Sequence, residues 1–429
     1  GEAEDPGRLA PWTLAGLAMP FGALAALEAD GQPALALGVP LWSAHALALA
    51  GAATALALRY GARDAGQGPR LGAAAAMAFT LIALALTIVL GKAALTGALA
   101  VLMIAAAALD RRFDIPGLGL FQILASLALG WRLVLDPGLS WHAVDGATAE
   151  ALLVVAATLA GPLAALWLAR ALPDDPIRRV ARLILETGLA AGAAVGAAVV
   201  ITRLMPDATA AHAHLGLQAT ALIALAWVQV RRQALPFGRR LRQVLAWLFG
   251  IGAAACLVLS VTVVSPLADS WWLRSQVRGW PVLNDLIPAY LVPGLVLVGL
   301  GGWRGLRWAG WALAAFWAGL AIRHLWQGPN LALWRGVAEG ELYAYTAALL
   351  AAGAALVARA VATGRADLRR IGLALVGVAA AKAFLVDAAG LGGLLRVGAF
   401  LALGLSLAAM AWVNGWAVAR ERGAATPDL

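Results

Sequence analysis

Five cations stand where cations are costly. Lys382 and Arg396 interrupt the two apolar arms of the last hairpin, LRRIGLALVGVAAAKAFLVD (Leu368 to Asp387) and GLGGLLRVGAFLALGLSLAAMAWV (Gly390 to Val413). At the rise of an α-helix, both lie about 8 Å inside one membrane face. Arg132, Arg203 and Arg323 recur in the same relation to other apolar runs, in WRLVLDPG, ITRLMPD and IRHLWQGP. A charge at that depth must snorkel to the interface or find a partner. Asp136, Asp207, Glu341 and Asp387 are the carboxylates spaced to serve. Five cations in one layer would line an outward-opening cavity and hold a phosphate or carboxylate, whose oxygens suit guanidinium and ammonium donors. The plainer reading is snorkelling plus ion pairs that fix helix packing.

Other residues on the same side add weaker chemistry. The loop 266–284 carries Trp271, Trp272, Arg274, Arg278 and Trp280, followed by Asn284 and Asp285; the loop 324–341 carries Trp326, Trp334, Arg335, Glu339 and Glu341. Trp beside Arg and carboxylates makes a platform for a sugar or a lipid head group, or simply an interfacial aromatic belt. Tyr343 and Tyr345 follow Glu341, but two residues apart on a helix they diverge by about 200°, so one of them at most shares its lining. Pro288 and Pro293 could break a helix and expose carbonyls, or merely kink it. Glu28 and Asp30 form an acidic pair of the kind that membrane glycosyltransferases carry in a first outer loop. They are the weak catalytic candidates. His212 and His214 lack the acidic or Cys companions of a metal site, so no metal or cofactor is expected. No Walker loop, GxSxG elbow, HExxH or paired CxxC occurs.

The elements that position these residues follow from composition. Of 429 residues, 62% are hydrophobic and 13% charged, about half the charge of a soluble protein, so lipid is the solvent for most of the surface. Long Ala/Leu/Gly/Val runs without strand alternation mean helices. The apolar runs give fourteen candidate spans: 9–28, 39–60, 70–90, 92–110, 115–135, 147–170, 183–205, 210–231, 241–265, 283–301, 303–323, 341–361, 367–387 and 390–417. The fold class expected is therefore an all-α polytopic membrane protein of about fourteen transmembrane helices. With that count, most of the 32 basic residues fall on the side of both termini, including Arg111, Arg112, Arg178, Arg179, Arg182, Arg231, Arg232, Arg239, Arg240 and Arg242. The positive-inside rule then makes both termini cytoplasmic. The net charge of +9 reads as topology and attraction to anionic membrane lipids, not nucleic acid. Cys256, the single cysteine, excludes a disulfide within the chain. The opening GEAEDPGRLAPW lacks an initiator Met and a signal-peptide pattern, so a processed, tagged or cut start is expected.

The recurrence of a cation before each helix exit predicts three parallel four-helix repeats, at 39–136, 147–265 and 283–388, flanked by 1–38 and 389–429 with one span each.

The C-terminal sequence also carries a likeness. ELYAYTAALLAAGAALV from Glu341 and RRIGLALVGVAAAKAFLVDAAGLGGLLRVGAFLALGL from Arg369 resemble the bacterial membrane proteins of domain-of-unknown-function family 2339. PVLNDLIPAYLVPGL at Pro281, LWRGVAEGELYAY at Leu333 and RLVLDPG at Arg132 extend the resemblance over about residues 70 to 417, most specifically in the C-terminal third. One departure is internal: where the third repeat has Lys382 and Asp387, its second-repeat counterpart is the uncharged CLVLSVTVVSP of Cys256 to Pro266. The resemblance implies a bacterial inner-membrane protein, often longer at its N-terminus, and brings no reaction. The expected function is to bind or move an anionic lipid, a lipid-linked intermediate or a sugar through the outward-facing cavity. The alternatives are an envelope scaffold without a ligand and a glycosyltransferase-like enzyme.

Overall fold

The computed structural model describes residues 39–63, 68–205, 210–235, 237–268, 275–300, 302–387 and 393–423. Its regular structure is helical: α1 (Val39–Arg63), α2 (Pro69–Val89), α3 (Lys92–Phe113), α4 (Leu118–Val134), α5 (Thr148–Leu168), α6 (Pro176–Leu204), α7 (Ala211–Arg232), α8 (Arg239–Val261), α9 (Val292–Leu300), α10 (Arg304–Gln327), α11 (Glu339–Thr363), α12 (Ala366–Lys382) and α13 (Gly393–Gly423). Local chemistry sets several ends. Asp175 caps α6 by accepting from the backbone N–H groups of Ile177 (2.8 Å) and Arg178 (3.3 Å), with Pro176 at the first helical position. Gly364, at φ 66°, closes α11 in the left-handed region that glycine enters without strain.

The expected count of about fourteen transmembrane helices is overturned. Among the described residues seven helices are long and apolar enough to cross a membrane: Pro69–Val89, Ala93–Phe113, Thr148–Ala171, Pro176–Leu204, Ala211–Arg232, Arg239–Val261 and Glu339–Thr363. The other runs form helix but fall short for separate reasons. α4 has 17 residues, about 26 Å of rise against about 30 Å of hydrocarbon. The run 283–301 breaks at its prolines into a π-helical turn, Ile287–Leu291, and the nine-residue α9. α12 stops after 17 residues and passes into another π turn, Ala383–Asp387. α1 and α10, of 25 and 24 residues, have the length but are not among the seven. In α13 the apolar stretch is Phe400–Val413. The run 9–28 lies outside the described residues. Reading apolar runs as spans took each run for one complete crossing, whatever its breaks.

Two compact bodies emerge, one from the described residues of 1–206 and 217–255, the other from those of 207–216 and 256–429. The first is centred on Leu99, Met103, Phe121, Leu129 and Leu185, contributed by α3, α4 and α6. In the second, two helix pairs approach through glycine. A Cβ on Gly310 of α10 would lie 2.5 Å from the Gly294 carbonyl oxygen of α9, and one on Gly372 of α12 would lie 2.8 Å from the Gly353 carbonyl oxygen of α11. Small residues at such crossings let backbones close on each other where lipid supplies no hydrophobic drive. The second crossing holds α12 against α11 and so sets where Lys382 arrives.

Candidate functional site: a buried polar layer

In the second body, α11 presents two adjacent polar rows at its N-terminus, Glu341/Tyr345 and Leu342/Thr346, each spaced one helical turn apart. The first row meets Arg323 of α10. Arg323 Nη1 donates to Glu341 Oε1 at 2.8 Å, while Nε donates to the Leu331 carbonyl (2.7 Å) and Nη2 to those of Ala332 (2.7 Å) and Gly336 (3.0 Å). Glu341, fully buried, accepts also from Tyr345 Oη (2.9 Å) at Oε1, and at Oε2 from Gln327 Nε2 (2.8 Å) and the Ala338 N–H (3.3 Å). The last bond is half of a capping box, since Ala338 has no side-chain acceptor to return it.

The second row meets the end of α12. Lys382 Nζ donates to Asp387 Oδ1 (2.6 Å), Thr346 Oγ1 (2.7 Å) and the Leu342 carbonyl (2.7 Å), using all three of its protons. Thr346 in turn donates to Asp387 Oδ2. Residues five apart on an α-helix diverge by about 140°, so Asp387 would turn away from Lys382 if α12 simply continued. The π turn Ala383–Asp387 closes i to i+5 and returns the carboxylate to the lysine.

A third cluster joins the start of α7 to the π turn Ile287–Leu291. The buried His212 ring has Nδ1 3.0 Å from Ser275 Oγ and Nε2 3.3 Å from Asp285 Oδ1, and stacks on Tyr290 at 6.4 Å between centroids. Tyr290 Oη donates to the Ser260 carbonyl (2.8 Å), and Ser260 Oγ to that of His212 (3.1 Å).

The remaining sequence candidates are placed as follows. Asn284 folds onto its own loop, donating to the Pro281 carbonyl (3.1 Å) and accepting from the Leu286 N–H (3.2 Å); Asp285 accepts from the Arg278 N–H through its other oxygen. Tyr343, Trp334 and Arg335 are exposed, Trp334 by 72%, and Arg335 Nη1 donates to the Gln327 and Asn330 carbonyls at 3.3 Å. Arg132 and Arg203 belong to the first body. Arg132 pairs with Asp136, and Arg203 holds the π turn Trp141–Asp145 by donating to the carbonyls of Trp141 (2.9 Å), His142 (2.7 Å) and Val144 (3.1 Å). Glu28, Asp30 and Asp207 lie outside the described residues, as does the side chain of Arg396.

Sequence reasoning passed over the best-buried ionic cluster of the first body. Arg178 Nε and Nη2 donate to Asp110 (3.1 and 2.5 Å), and Nη2 reaches Asp114 at 2.6 Å. Glu186 likewise takes Arg232 and Arg242, each at 2.9 Å. The signal was present in Asp110, an acid closing the apolar run of α3, opposite the Arg178 that opens α6. In the sequence Asp110 closes the run 92–110 and Arg178 falls between the runs 147–170 and 183–205. A cleft of about 80 Å³ in this body is lined by Ser126, Leu129, Thr158, Pro162, Gly188 and Val195 among others, with no charged side chain. It is well below the few hundred Å³ of a typical ligand pocket.

A membrane-embedded, multi-pass bundle of helices held by internal polar contacts is thus the class to which the geometry belongs. Residues 8–415 match the family described as predicted membrane protein (DUF2339), and the chain belongs to that family. The match begins well before residue 70 and does not single out the C-terminal third. No curated protein and no solved structure matches the chain.

Proposed function

We propose that the chain serves as a structural or assembly scaffold of the bacterial inner membrane, with its buried polar layer acting to fix helix positions. The observation that carries this reading is saturation. The Arg323 guanidinium is met by a carboxylate and three carbonyls, and the Lys382 ammonium by three oxygens, so an anionic ligand would have to displace bonds already made. In a low-dielectric interior such networks specify one arrangement, because leaving a member unpaired is expensive. The arginines that flank the turn between α7 and α8, Arg231, Arg232, Arg239 and Arg240, support a cytoplasmic location for that turn. Contact with membrane lipids follows from the exposed apolar side chains of the spans, such as Leu153, Val244 and Trp247.

A second reading, recognition of an envelope lipid or glycan, draws on the exposed Trp334, Arg335 and Tyr343. Native mass spectrometry of the chain extracted with its surrounding lipids separates the two. A scaffold carries lipids in their bulk proportions. One envelope lipid or glycan retained at a fixed ratio, and lost on Trp334→Ala with Arg335→Ala, would overturn the scaffold reading in favour of the second.

A further inference from the structure

Two exposed stretches of the second body are built from the same residue types. Residues 278–283, before the π turn Ile287–Leu291, read RGWPVL, and residues 333–337, between α10 and α11, read LWRGV. Each has one arginine, one glycine, one tryptophan, one valine and one leucine, the first with a proline added, and neither has an acid. Every residue of both is exposed, Trp280 by 81%, Leu283 by 74% and Trp334 by 72%. The first is a hairpin, closed by the Trp280 N–H donating to the Leu283 carbonyl (2.9 Å) and the Asp285 N–H to that of Arg278 (3.2 Å). Its polar side chains turn back on it, Asp285 accepting from the Arg278 N–H (3.1 Å) and Asn284 donating to the Pro281 carbonyl (3.1 Å), while Trp280, Val282 and Leu283 stand outside. The second repeats the inversion: Asn330 accepts from the Ala332 N–H (3.0 Å), and Leu333, Trp334 and Val337 stand outside. The two share a base, where Val277, Leu286 and Leu331 pack in one core and the Val277 N–H donates to the Pro329 carbonyl (2.8 Å).

A loop bathed in water shows polar side chains and hides apolar ones; these two do the reverse, in a chain whose spans put a bilayer within reach. Indole beside aliphatic side chains and a cation is the composition suited to the head-group boundary, where the ring meets hydrocarbon, its N–H stays wet and arginine attracts phosphate. We infer that residues 278–283 and 333–337 form a wedge that inserts into the bilayer at that boundary. Trp280, Leu283, Leu333 and Trp334 enter the acyl edge, and Arg278 and Arg335 rest against lipid phosphates. The depth is that of interfacial segments in general, about 5–10 Å. Charge selects lipid over a second copy of the chain, because two such faces laid together would oppose arginine to arginine, whereas anionic head groups supply the charge that both stretches lack. The inference goes beyond the scaffold reading: it fixes the height at which the second body rides in the membrane.

The experiment uses the full chain with its single cysteine removed by Cys256→Ser and a new one placed by Val282→Cys, labelled with the polarity-sensitive fluorophore NBD. The labelled chain is reconstituted into vesicles of phosphatidylcholine and phosphatidylglycerol. A lipid bearing a nitroxide high on its acyl chain is expected to quench the label strongly, and aqueous iodide to quench it several-fold less than it quenches the free conjugate. Leu333→Cys in place of Val282→Cys should give the same pattern. Iodide quenching equal to that of the free conjugate puts the wedge in water and overturns the proposal. Shielding from both quenchers means that protein covers it, and overturns the proposal as well. Adding Trp280→Asp with Leu283→Asp to the Val282-labelled chain should return the label to iodide; lipid quenching that survives this change overturns the role given to those side chains. The first labelled chain decides whether or not the double variant folds, since it alters one exposed tip residue. None of these results touches the lipid-retention test of the scaffold reading, which reads the lipid that stays bound and not the depth of a loop.

Discussion

Arg178 in the first body and Arg323 in the second are equally buried, at 4% exposure, yet they are satisfied in different ways. Arg178 is met by two carboxylates, Asp110 and Asp114, from the C-terminal end of α3. Arg323 is met by one carboxylate, Glu341, and by the carbonyls of Leu331, Ala332 and Gly336. The first arrangement concentrates opposite charge across two helices, α3 and α6. The second spreads a cation over the irregular chain between α10 and α11, which forms only the short 3-10 turn Leu333–Arg335; the Ala332 carbonyl accepts there both from the Arg335 N–H (3.2 Å) and from the guanidinium. The contrast separates two uses of buried charge: one locks two spans together, the other gives an irregular loop hydrogen-bond donors.

The largest effect is expected where charge is left uncompensated. Arg178→Met strands two acids, one of them nearly inaccessible, and should cost about 3–5 kcal/mol. The loss would be read as a fall in Tm and in monodisperse yield from detergent. Adding Asp110→Asn and Asp114→Asn should recover much of the deficit, since removing a whole buried ionic group costs less than breaking it. Failure of the triple variant to improve on the single one would mean that the guanidinium matters by shape and not by charge. Glu341→Gln is milder. Arg323 keeps three carbonyl acceptors and the amide oxygen can still accept from it, but the amide nitrogen would face the Gln327 and Ala338 donors, so about 2–3 kcal/mol is expected. A Glu341→Gln loss as large as that of Arg178→Met would erase the distinction between the two arginines.

Much of this arrangement was legible in the sequence. Helix as the architecture of the described residues followed from the composition, and Asp136, Glu341 and Asp387 stood out as carboxylates able to serve the layer of cations, though spacing did not say that Glu341, in the next run, would meet Arg323. The span count was not legible, because a hydropathy run records what can enter lipid but not whether the backbone stays helical through it. Pro288 and Pro293 divide one run, and the π turn after Lys382 shortens another. Nor did spacing show that Tyr345 would join Glu341 while Tyr343 stays exposed; two residues at 200° leave that choice to the neighbouring helix. Asp110 drew no reading from the sequence, because a carboxylate at the end of an apolar run beside Arg111 and Arg112 has no partner in its own stretch of chain. Its real partner, Arg178, is 68 residues away, a distance that single-sequence pattern does not bridge.

The smallest effect belongs to a pair that resembles the Arg178 cluster in sequence but not in setting. Asp174 sits between the spans ending at Ala171 and beginning at Pro176, accepts hydrogen bonds from Arg179, and is exposed. The guanidinium bond holds its carboxyl below the ordinary aspartate value of 3.8. A depressed folded value means that the pair's contribution is present above that ordinary value and disappears as pH falls through the lower, folded one. Asp174→Asn should therefore flatten the most acidic limb of a Tm-against-pH profile and leave neutral pH nearly untouched, and salt should shrink the difference because an exposed pair is screened. If Asp174→Asn instead lowered Tm at neutral pH as far as Arg178→Met does, exposure would have failed as the variable that ranks these ion pairs.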